Sequence, residues 1–388
     1  MNSLSLIRQK RIGQLKSLIH HPYFGFLVVG ALLLFMQGLR AAGVNISITV
    51  MRTFGLTMIY VIIGLGFSIL LGYAGLASLG TAGFVGIGTY LVGYLTTKMG
   101  FPIYIIIIIS ILGAILIGLI IGFISLRIEG MYLAIITLGL SEILNEVFKN
   151  AVEFTNGTNG LNMSTIVFFG TFEVINIETI FTALVFILVL VMVITFNIMK
   201  SPTGRAMLAM KNSESAAQAM GVSILKYRLM AFMIATVYAV VGGVLYMTYF
   251  GFSIPSSWGL AFSLNILAAI IVGGSRSIYG VLLGTFMIFG LDMAVFQTIN
   301  VSPTQNASVA AFIARFPEHT EQLSEFFRSL NGAIPTMSYI FNGVLIIIVI
   351  MFYPGGLYQL VITLKAKISK LISKVMKKVK VYRYGEDR

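Results

Sequence analysis

The chain contains apolar runs that are long enough for a helix to cross a lipid bilayer. Residues 103–123 and 180–198 contain no charged residue. Each run is close to the ~20 residues that a helix needs to span a ~30 Å hydrocarbon layer. Apolar and polar residues do not alternate strictly within the runs, which argues against a transmembrane barrel. The runs therefore predict an all-α, polytopic membrane protein.

The composition argues against a soluble protein of the same length. Hydrophobic residues make up 58% of the 388 residues and charged residues only 10%. Soluble domains are about 25% charged. So few charges could not cover the roughly two or three soluble domains that the length would otherwise suggest. The first apolar run follows a basic stretch without a convincing cleavage site, so we expect it to be retained as the first span.

Apolar runs and charges together predict about ten transmembrane helices. The predicted spans are residues 22–39, 54–72, 79–97, 102–125, 131–149, 178–199, 229–250, 259–273, 278–297 and 336–353. Two of them are weak. The fifth contains Glu142, Asn145 and Glu146, which are costly in lipid, and the eighth is short with Asn265 midway. Either segment could instead be a re-entrant or buried helix, which is tolerated where protein surrounds it.

Basic residues are concentrated in residues 8–16, 200–228 and 365–388. The net charge of +13 is also typical of nucleic-acid-binding proteins, but basic segments beside transmembrane spans follow the positive-inside rule. With the N-terminus inside, 20 of the 26 Lys and Arg residues fall on the cytoplasmic side. We therefore expect cytoplasmic N- and C-termini and no nucleic-acid partner.

This orientation divides the chain into parts. They are a cytoplasmic N-terminal tail, a transmembrane domain and a basic cytoplasmic tail, at residues 1–21, 22–353 and 354–388. Within the transmembrane domain, residues 200–228 form a cytoplasmic loop, and residues 150–177 and 298–335 are long outer segments. The outer segments are suited either to binding a receptor or to covering helix ends.

Glycines are distributed through the predicted spans rather than concentrated in the loops. Gly80, Gly83, Gly86 and Gly88 fall in one span, and Gly118 and Gly122 form a small-xxx-small pair in the next. Small residues allow helix backbones to approach closely in lipid. We expect helix–helix contacts at these positions, either as static packing or where helices slide past each other.

The sequence lacks the motifs of common enzyme classes. It has no G-x-x-x-x-G-K-[ST] phosphate-binding loop, no G-x-S-x-G nucleophile motif and no cysteine. Its three histidines, His20, His21 and His319, lie near span ends or in a loop, which disfavours a metal site or a general base. We expect no enzymatic activity, no metal and no cofactor.

Carboxylates within the predicted spans support one hypothesis for the function. Glu142 and Glu146 lie four residues apart on one helical face, and Asp292 lies in the ninth span. Ionisable groups in the membrane commonly mark ion or proton pathways. A proton-coupled secondary carrier would use such groups, although Lys149 lies close to Glu146 and Asp292 has no cation in its own span.

The cytoplasmic segment 201–221 has the pattern of two short helices. A proline and a glycine after residue 201 end the preceding span, and residues 205–210 predict the first helix. Residues 214–220 predict a second, alanine-rich helix, and Gly221 is the residue type that commonly ends a helix in a left-handed conformation. The small side chains suit docking in a groove of another protein, but an ordinary linker has the same pattern.

The same loop carries a motif of a known class of membrane protein. Its stretch Ala216-Ala217-Gln218-Ala219-Met220-Gly221 is similar to the A-A-x-x-x-G core of the coupling loop in ABC importer permeases. Residues 201–206 and Glu214 match the branched-chain amino acid variant. Further similar stretches are residues 72–80, 126–139, 156–161, 272–280 and 353–357. Together they resemble the LivM-type permeases of the branched-chain amino acid ABC transporter family.

The resemblance implies a permease subunit of an importer in a bacterial or archaeal plasma (inner) membrane. Its partners would be membrane lipid, a second, LivH-like permease subunit, two cytosolic ATP-binding subunits and an extracytoplasmic amino-acid-binding protein. A urea or amide permease of the same family is the alternative within this class. Leu76 stands where a polar residue often follows glycine, and residues 300–335 are longer than expected, so the substrate and the docking details stay open.

Two sets of site residues follow. The expected contacts with the ATP-binding subunits are Gly204, Arg205, Glu214, Ala216, Ala217 and Gly221. A glycine-lined path suited to leucine-like side chains would run through residues 75–90 and 130–140. Its candidate residues are Gly75, Ser78, Gly80, Tyr132, Thr137 and Glu142.

Overall fold

The computed structural model describes most of the chain. The described residues are 22–44, 47–125, 131–163, 165–168, 171–174, 177–291, 293, 311–316, 319–353 and 355–363. Several predicted features lie outside them, namely the N-terminal tail, the C-terminal tail beyond residue 363, the motif residues 126–130 and 354, Asp292, and the outer residues 294–310, 317 and 318.

Long helices make up the body of the molecule. They are α1 (Pro22–Ala41), α2 (Ile48–Ser68), α3 (Thr81–Thr97), α4 (Ile103–Ser125), α5 (Met131–Asn150), α7 (Ile177–Lys200), α10 (Ile224–Phe250), α11 (Leu260–Gly273), α12 (Ile278–Thr285) and α13 (Thr320–Phe352). A π-helical turn extends α2 through Ile69–Tyr73, and another extends α12 through Phe286–Gly290. A helix therefore lies at each predicted span, although α13 begins well before residue 336.

Short elements connect these helices. They are α6 (Val152–Thr155), α8 (Pro202–Asn212), α9 (Glu214–Ala219), β1 (Leu161–Asn162), β2 (Thr165–Phe168), β3 (Thr171–Val174) and β4 (Phe252–Ser253), with 3-10 turns at Gly157–Asn159 and Pro255–Trp258. The strands form two antiparallel pairs, β1 with β4 and β2 with β3. Leu161 lies opposite Ser253 in the first pair.

The described residues contain five helices that are long and apolar enough to cross a membrane. They are α1, α2 with its π-helical end, α4, α7 and α10. The bent pair Ile340–Phe352 and Leu357–Thr363 adds a sixth if it is one span. Helices α11 and α12 are apolar but shorter. The chain is thus an all-α, polytopic membrane protein.

The central and peripheral helices differ in burial. In the most apolar stretch of α2, 83% of the residues are buried. The corresponding share is 17% in α1 and 28% in α4. Helix α10 packs against α2, α3 and α4. On the outside of α4, Leu112 and Leu116 are about three-fifths exposed. Helices α2, α3 and α10 therefore form the core, and α1 and α4 present apolar faces to the surroundings.

Glycines permit the close crossing of α10 with its neighbours. A Cβ atom at Gly88 on α3 would overlap the carbonyl of Val240, and one at Gly243 would overlap the carbonyl of Val85. On α4, a Cβ atom at Gly118 would lie 3.2 Å from the Cα of Met233. The predicted helix–helix contacts at the glycines of α3 and α4 are confirmed, because larger residues would separate these backbones.

Helices α1 and α7 pack side by side in opposite directions. The hydroxyl of Tyr23, near the start of α1, donates to Asn197 Oδ1 near the end of α7 (2.6 Å). At their other ends, Arg40 Nε lies 3.6 Å from Glu178 Oε1. We call the end of the molecule where α7 finishes and α10 begins the α8 end, and the end where α10 finishes the Trp258 end.

Candidate functional site

Polar caps define the two short helices of the predicted loop. The Ser201 hydroxyl accepts a hydrogen bond from Gly204 N (3.3 Å) at the start of α8. Ser213 has an extended backbone between the helices, and its hydroxyl accepts from Ala216 N (3.3 Å) at the start of α9. Such serine caps satisfy the N–H groups that a first helical turn leaves free. The two predicted helices are therefore confirmed.

Gly204 and Gly221 occupy positions that disfavour a side chain. A Cβ atom at Gly204 would lie 2.5 Å from the carbonyl oxygens of Ile198 and Met199, so α8 could not turn as closely away from α7. Gly221 has a φ of +80°, the left-handed conformation predicted for the end of α9. A Cβ atom at Gly221 would have no neighbour within 4 Å, so this glycine borders open space.

One side of this loop is anchored in the helix bundle and the other is open. Met207, Met210 and Ala217 are buried. Met220 is 84% exposed. We call six of the exposed residues together the α8–α9 surface: Arg205, Glu214, Ala216, Gln218, Met220 and Gly221. The arrangement offers a small, mostly uncharged surface on a support that is fixed to the bundle.

An ion pair fixes α9 to the start of α10. The guanidinium of Arg228 donates to Glu214 Oε1, and the Arg228 side chain is 10% exposed against 50% for Glu214. An open cleft of about 550 Å³ lies beside the pair, lined also by Gln218, Gly221 and Leu225. Glu214, a predicted contact with the ATP-binding subunits, thus also has a partner within the chain.

Helix α8 also contacts the end of α2. Lys211 Nζ donates hydrogen bonds to the carbonyl oxygens of Leu71 and Gly72, each at 2.9 Å. Partial burial, together with the nearby Arg276 guanidinium, lowers the pKa of the Lys211 ammonium from its ordinary value. The two carbonyls belong to the π-helical turn that ends α2. This contact joins the predicted loop to the residues that lead into α3.

Glycine motifs converge on the same end of the molecule. A Cβ atom at Gly72 would overlap the carbonyl of Ser275, which follows α11. A Cβ atom at Gly274 would lie 3.0 Å from the carbonyl oxygen of Gly355, which follows α13. Three of the stretches that carry the resemblance, distant in sequence, therefore meet beside the α8–α9 loop.

Side-chain hydroxyls hold the start of α3 inside the bundle. Thr137 Oγ1 accepts a hydrogen bond from Leu79 N (3.0 Å). Ser263 Oγ accepts one from Ala82 N (3.0 Å), and Ser141 Oγ accepts one from Gly83 N (3.1 Å). These acceptors come from α5 and α11. They satisfy the N–H groups at a helix start, as a buried backbone requires.

A cavity lies beside this helix start. Ser78, Thr81 and Phe84 line it together with residues of α2 and α10, and its volume is about 10 Å³. That volume is enough for roughly one water molecule. The space is far too small for an amino acid in this conformation.

The structure brings together only part of the candidate path. The Ser78 hydroxyl accepts from Gly80 N (3.2 Å), and a Cβ atom at Gly80 would lie 2.9 Å from the carbonyl oxygen of Thr137. Gly75 instead lies against Lys211 at the α8 end. Tyr132 is 69% exposed on the outer face of α5. Glu142 is also exposed there.

Buried hydrogen bonds hold the opposite end of the molecule. Asn145 Nδ2 donates to the carbonyl oxygens of Pro255 (3.0 Å) and Trp258 (3.2 Å). Trp258 Nε1 donates to Ser253 Oγ (2.9 Å). We call Asn145, Ser253, Pro255 and Trp258 the Trp258 cluster. Sequence reasoning identified Asn145 as a polar residue in a span but did not predict its partners.

The turn of residues 156–161 lies beside the Trp258 cluster. Asn156 has a φ of +61°, and its Nδ2 donates to the carbonyl oxygen of Gly160 (2.9 Å). A Cβ atom at Gly160 would lie 2.5 Å from the carbonyl oxygen of Ser253. This stretch of the resemblance therefore shapes the Trp258 end, while the others described above lie at the α8 end.

Within the described part of the chain, no group of three or more His, Cys, Asp or Glu side chains is placed to hold a metal ion. The α8 end is distinguished by its open surface and by its contacts with α2 and α10.

Comparison with known proteins identifies a family. The sequence model of one protein family, the permease component of the branched-chain amino acid transport system, matches residues 49–350. The chain is 33% identical over 256 residues to the high-affinity branched-chain amino acid transport system permease protein LivM of Escherichia coli (strain K12). It is 32% identical to the protein of the same name from Salmonella typhimurium (strain LT2). Each alignment covers 60% of this chain and 60% of the relative. No solved structure matches the chain.

Proposed function

The chain belongs to the family of branched-chain amino acid transport system permease components, and we propose that it is one membrane subunit of an ATP-driven importer. In this proposal it carries branched-chain amino acids into the cytoplasm. The observation that supports it best is the α8–α9 surface, which is anchored on one side and open on the other. Such a surface is suited to receive force from a separate protein.

The proposed energy source is a pair of cytosolic ATP-binding subunits. The chain has no phosphate-binding loop of its own. The proposed docking region is residues 200–228. Its candidate contacts are Gly204, Arg205, Glu214, Ala216, Ala217 and Gly221. In the structure, Arg205, Ala216 and Gly221 are exposed, while Gly204 and Ala217 support the surface from below.

A second permease subunit would cover the outer face of α5. Ile135 and Ile143 are each about three-fifths exposed on this helix, and Glu142 is exposed between them. A carboxylate at the centre of a span costs roughly 2.5–3.5 kcal/mol in lipid. The exposed faces of α4 and α7 carry apolar residues such as Leu112 and Phe186, which lipid accommodates. This contrast supports a protein neighbour, or water between two subunits, at α5.

The proposed topology has ten spans and cytoplasmic termini at residues 1–21 and 354–388. It is supported by the positions of the helix ends, because successive helices finish alternately at the Trp258 end and at the α8 end. Gly122, near the end of α4, contacts Leu229 near the start of α10. Gly274, after α11, approaches the residues after α13. These ends lie on the side of the α8–α9 loop, where basic residues are concentrated.

Transport would proceed by alternating access. Closure of the ATP-binding subunits would push the α8–α9 surface. The movement would reach α2 and α10 through their contacts with the loop, and α3 through the segment that follows α2. The proposed path passes Ser78, Gly80 and Thr137 at the start of α3, where a closed cavity would have to widen. The outer segments 150–177 and 298–335 are the proposed contact for an amino-acid-binding protein.

Reconstitution tests this function directly. The chain would be assembled in proteoliposomes with a second permease subunit, two ATP-binding subunits and the amino-acid-binding protein. We expect uptake of labelled leucine that requires ATP and is not reduced by excess urea or a short amide. Competition by urea would favour the alternative cargo. Transport by the purified chain alone under a pH gradient, abolished by Glu142→Gln, would favour a proton-coupled carrier and contradict the proposal.

A further inference from the structure

We propose that Lys211 is a positioning residue that carries movement of α8 to the segment between α2 and α3. The inference rests on the proposed function, because it concerns how ATP-driven movement at the α8–α9 surface reaches the path. Lys211 was expected only to contribute basic charge to the cytoplasmic side.

The first observation is the pair of hydrogen bonds between Lys211 and the end of α2. The carbonyl groups in the last turn of a helix have no partner within the helix. Lys211 Nζ supplies a partner to two of them, those of Leu71 and Gly72, at 2.9 Å each. A positive charge at a helix C-terminus is also favourable. The end of α2 is therefore completed by a side chain from α8.

The second observation is the close fit around these hydrogen bonds. Gly75 has a φ of +75°, and a Cβ atom there would lie 3.0 Å from Lys211 Cγ. On the other side, a Cβ atom at Gly72 would overlap the carbonyl of Ser275. The segment thus lies between α8 and the loop after α11 and is in close contact with both. A displacement of α8 would therefore meet the backbone of this segment directly.

The third observation concerns what lies beyond Gly75. Residues 74–80 have no regular secondary structure, whereas α2 precedes them and α3 follows. The hydrogen bond from Leu79 N to Thr137 Oγ1 fixes the far side of this segment to α5. The π-helical turn before it is a type of element that is often found at functional sites. Movement of Lys211 would therefore reach the start of α3 through a short, defined connection.

A simple stabilising cap is the alternative role for Lys211. A cap would lower the free energy of every transport state equally, so its loss would reduce thermal stability without changing how ATP use is linked to uptake. A positioning residue would change that link. The amount of ATP hydrolysed per leucine taken up distinguishes the two roles.

The experiment uses the complete transporter in proteoliposomes. Lys211→Met removes the ammonium and keeps an aliphatic stem, whereas Lys211→Arg keeps a cationic donor. Lys98→Met, an exposed lysine at the Trp258 end, is the control for loss of a charge. We expect Lys211→Met to raise the ATP-to-leucine ratio at least about fivefold, the lower end of typical coupling effects. Lys211→Arg and Lys98→Met should remain close to wild type.

A chemical rescue covers the case in which Lys211→Met assembles poorly. The chain has no native cysteine, so Lys211→Cys provides a single thiol in this subunit. Reaction of this thiol with 2-aminoethyl methanethiosulfonate releases methanesulfinate and forms a disulfide whose side chain carries an ammonium. Methyl methanethiosulfonate reacts in the same way but adds only an uncharged methylthio group. In one preparation of the Lys211→Cys complex, we expect the aminoethyl reagent to lower the ATP-to-leucine ratio and the methyl reagent to leave it unchanged. Neither reagent should affect the wild-type complex.

Four results would count against these proposals in different ways. An unchanged ATP-to-leucine ratio in Lys211→Met would overturn the inference, and the same ratio with a lower melting temperature would assign Lys211 the role of a cap. Equal effects of the two reagents on Lys211→Cys would also overturn it. Absence of ATP-driven uptake by the wild-type complex would contradict the proposed function itself.

Discussion

The two ends of the molecule are held by different kinds of contact. At the α8 end, charged side chains join separate elements: the exposed Lys211 bonds the end of α2, and the half-exposed Glu214 pairs with the buried Arg228. At the Trp258 end, Arg40 and Glu178 also form an ion pair between α1 and α7, but the Trp258 cluster is held by buried neutral groups. Asn145 donates to two carbonyl oxygens, and Trp258 donates to a serine hydroxyl.

This difference bears on which end can move. A buried polar group that loses its partner costs about 1–3 kcal/mol. Contacts between exposed charges are usually worth only ~0–1 kcal/mol, because water solvates the separated groups. Because the Lys211 side chain is exposed, its contact with α2 can therefore break and re-form more easily than the buried contacts of the Trp258 cluster. We infer that the Trp258 end keeps one geometry while the α8 end responds to a partner.

The largest expected effect comes from a charge on the α8–α9 surface. Ala216→Glu should reduce ATP-driven leucine uptake at least about tenfold, equivalent to ~1.4 kcal/mol, because it places a charge where a partner must pack closely. Uptake in proteoliposomes measures this. Ala216→Ser, which keeps a small side chain, should transport normally. Normal uptake by Ala216→Glu would show that Ala216 is not part of the contact.

A change in the Trp258 cluster should affect stability rather than coupling. Asn145→Leu leaves two carbonyl oxygens without their donor and should reduce stability by about 1–3 kcal/mol. Trp258 is the only tryptophan in the chain, so its fluorescence during thermal unfolding reports on the cluster. Asn150→Leu is the exposed control. A changed ATP-to-leucine ratio at unchanged stability would remove the proposed difference between the ends.

The start of α3 should show an intermediate effect. Thr137→Val keeps the shape of the side chain but removes the hydroxyl that accepts from Leu79 N, so we expect a loss of about 1 kcal/mol in stability. Thr137→Ser keeps the hydroxyl and should lose less. Thermal unfolding of both variants provides the comparison. Equal stability of the valine variant and wild type would mean that Leu79 N finds another partner.

The smallest effect should come from an exposed ion pair near the Trp258 end. Lys149 Nζ lies 2.7 Å from Glu146 Oε1, and both side chains are at least 36% exposed. Lys149→Met should change stability by less than about 1 kcal/mol. A larger loss in thermal unfolding would show that exposed charges also hold this end.

Features that depend on neighbouring residues were predictable from the sequence. The long apolar runs predicted each long helix, and the residues before Gly221 predicted two short helices with a left-handed stop. The close pair of Glu146 and Lys149 was also predicted, since the residues lie three apart in one helix. In each case the physical cause lies within one element or at its ends.

Features that depend on distant residues were not predictable in the same way. The donor Lys211 and its acceptor Leu71 are 140 residues apart, and the sequence gives no sign of their contact. Thr137 was predicted as a residue of the path, but its hydrogen bond with Leu79 N was not predicted. Glu214 was predicted to contact an ATP-binding subunit, but its pairing with Arg228 on the next helix was not predicted. Packing of separate helices decided all three.

Site-specific cross-linking tests the central claim most directly. The native chain has no cysteine, so Ala216→Cys at the α8 end and Asn159→Cys at the Trp258 end each introduce one thiol at an exposed position. The account predicts that a short bifunctional reagent joins residue 216, but not residue 159, to an ATP-binding subunit, and that this cross-link stops leucine uptake. Cross-linking from residue 159, or none from residue 216 in an actively transporting complex, would contradict it.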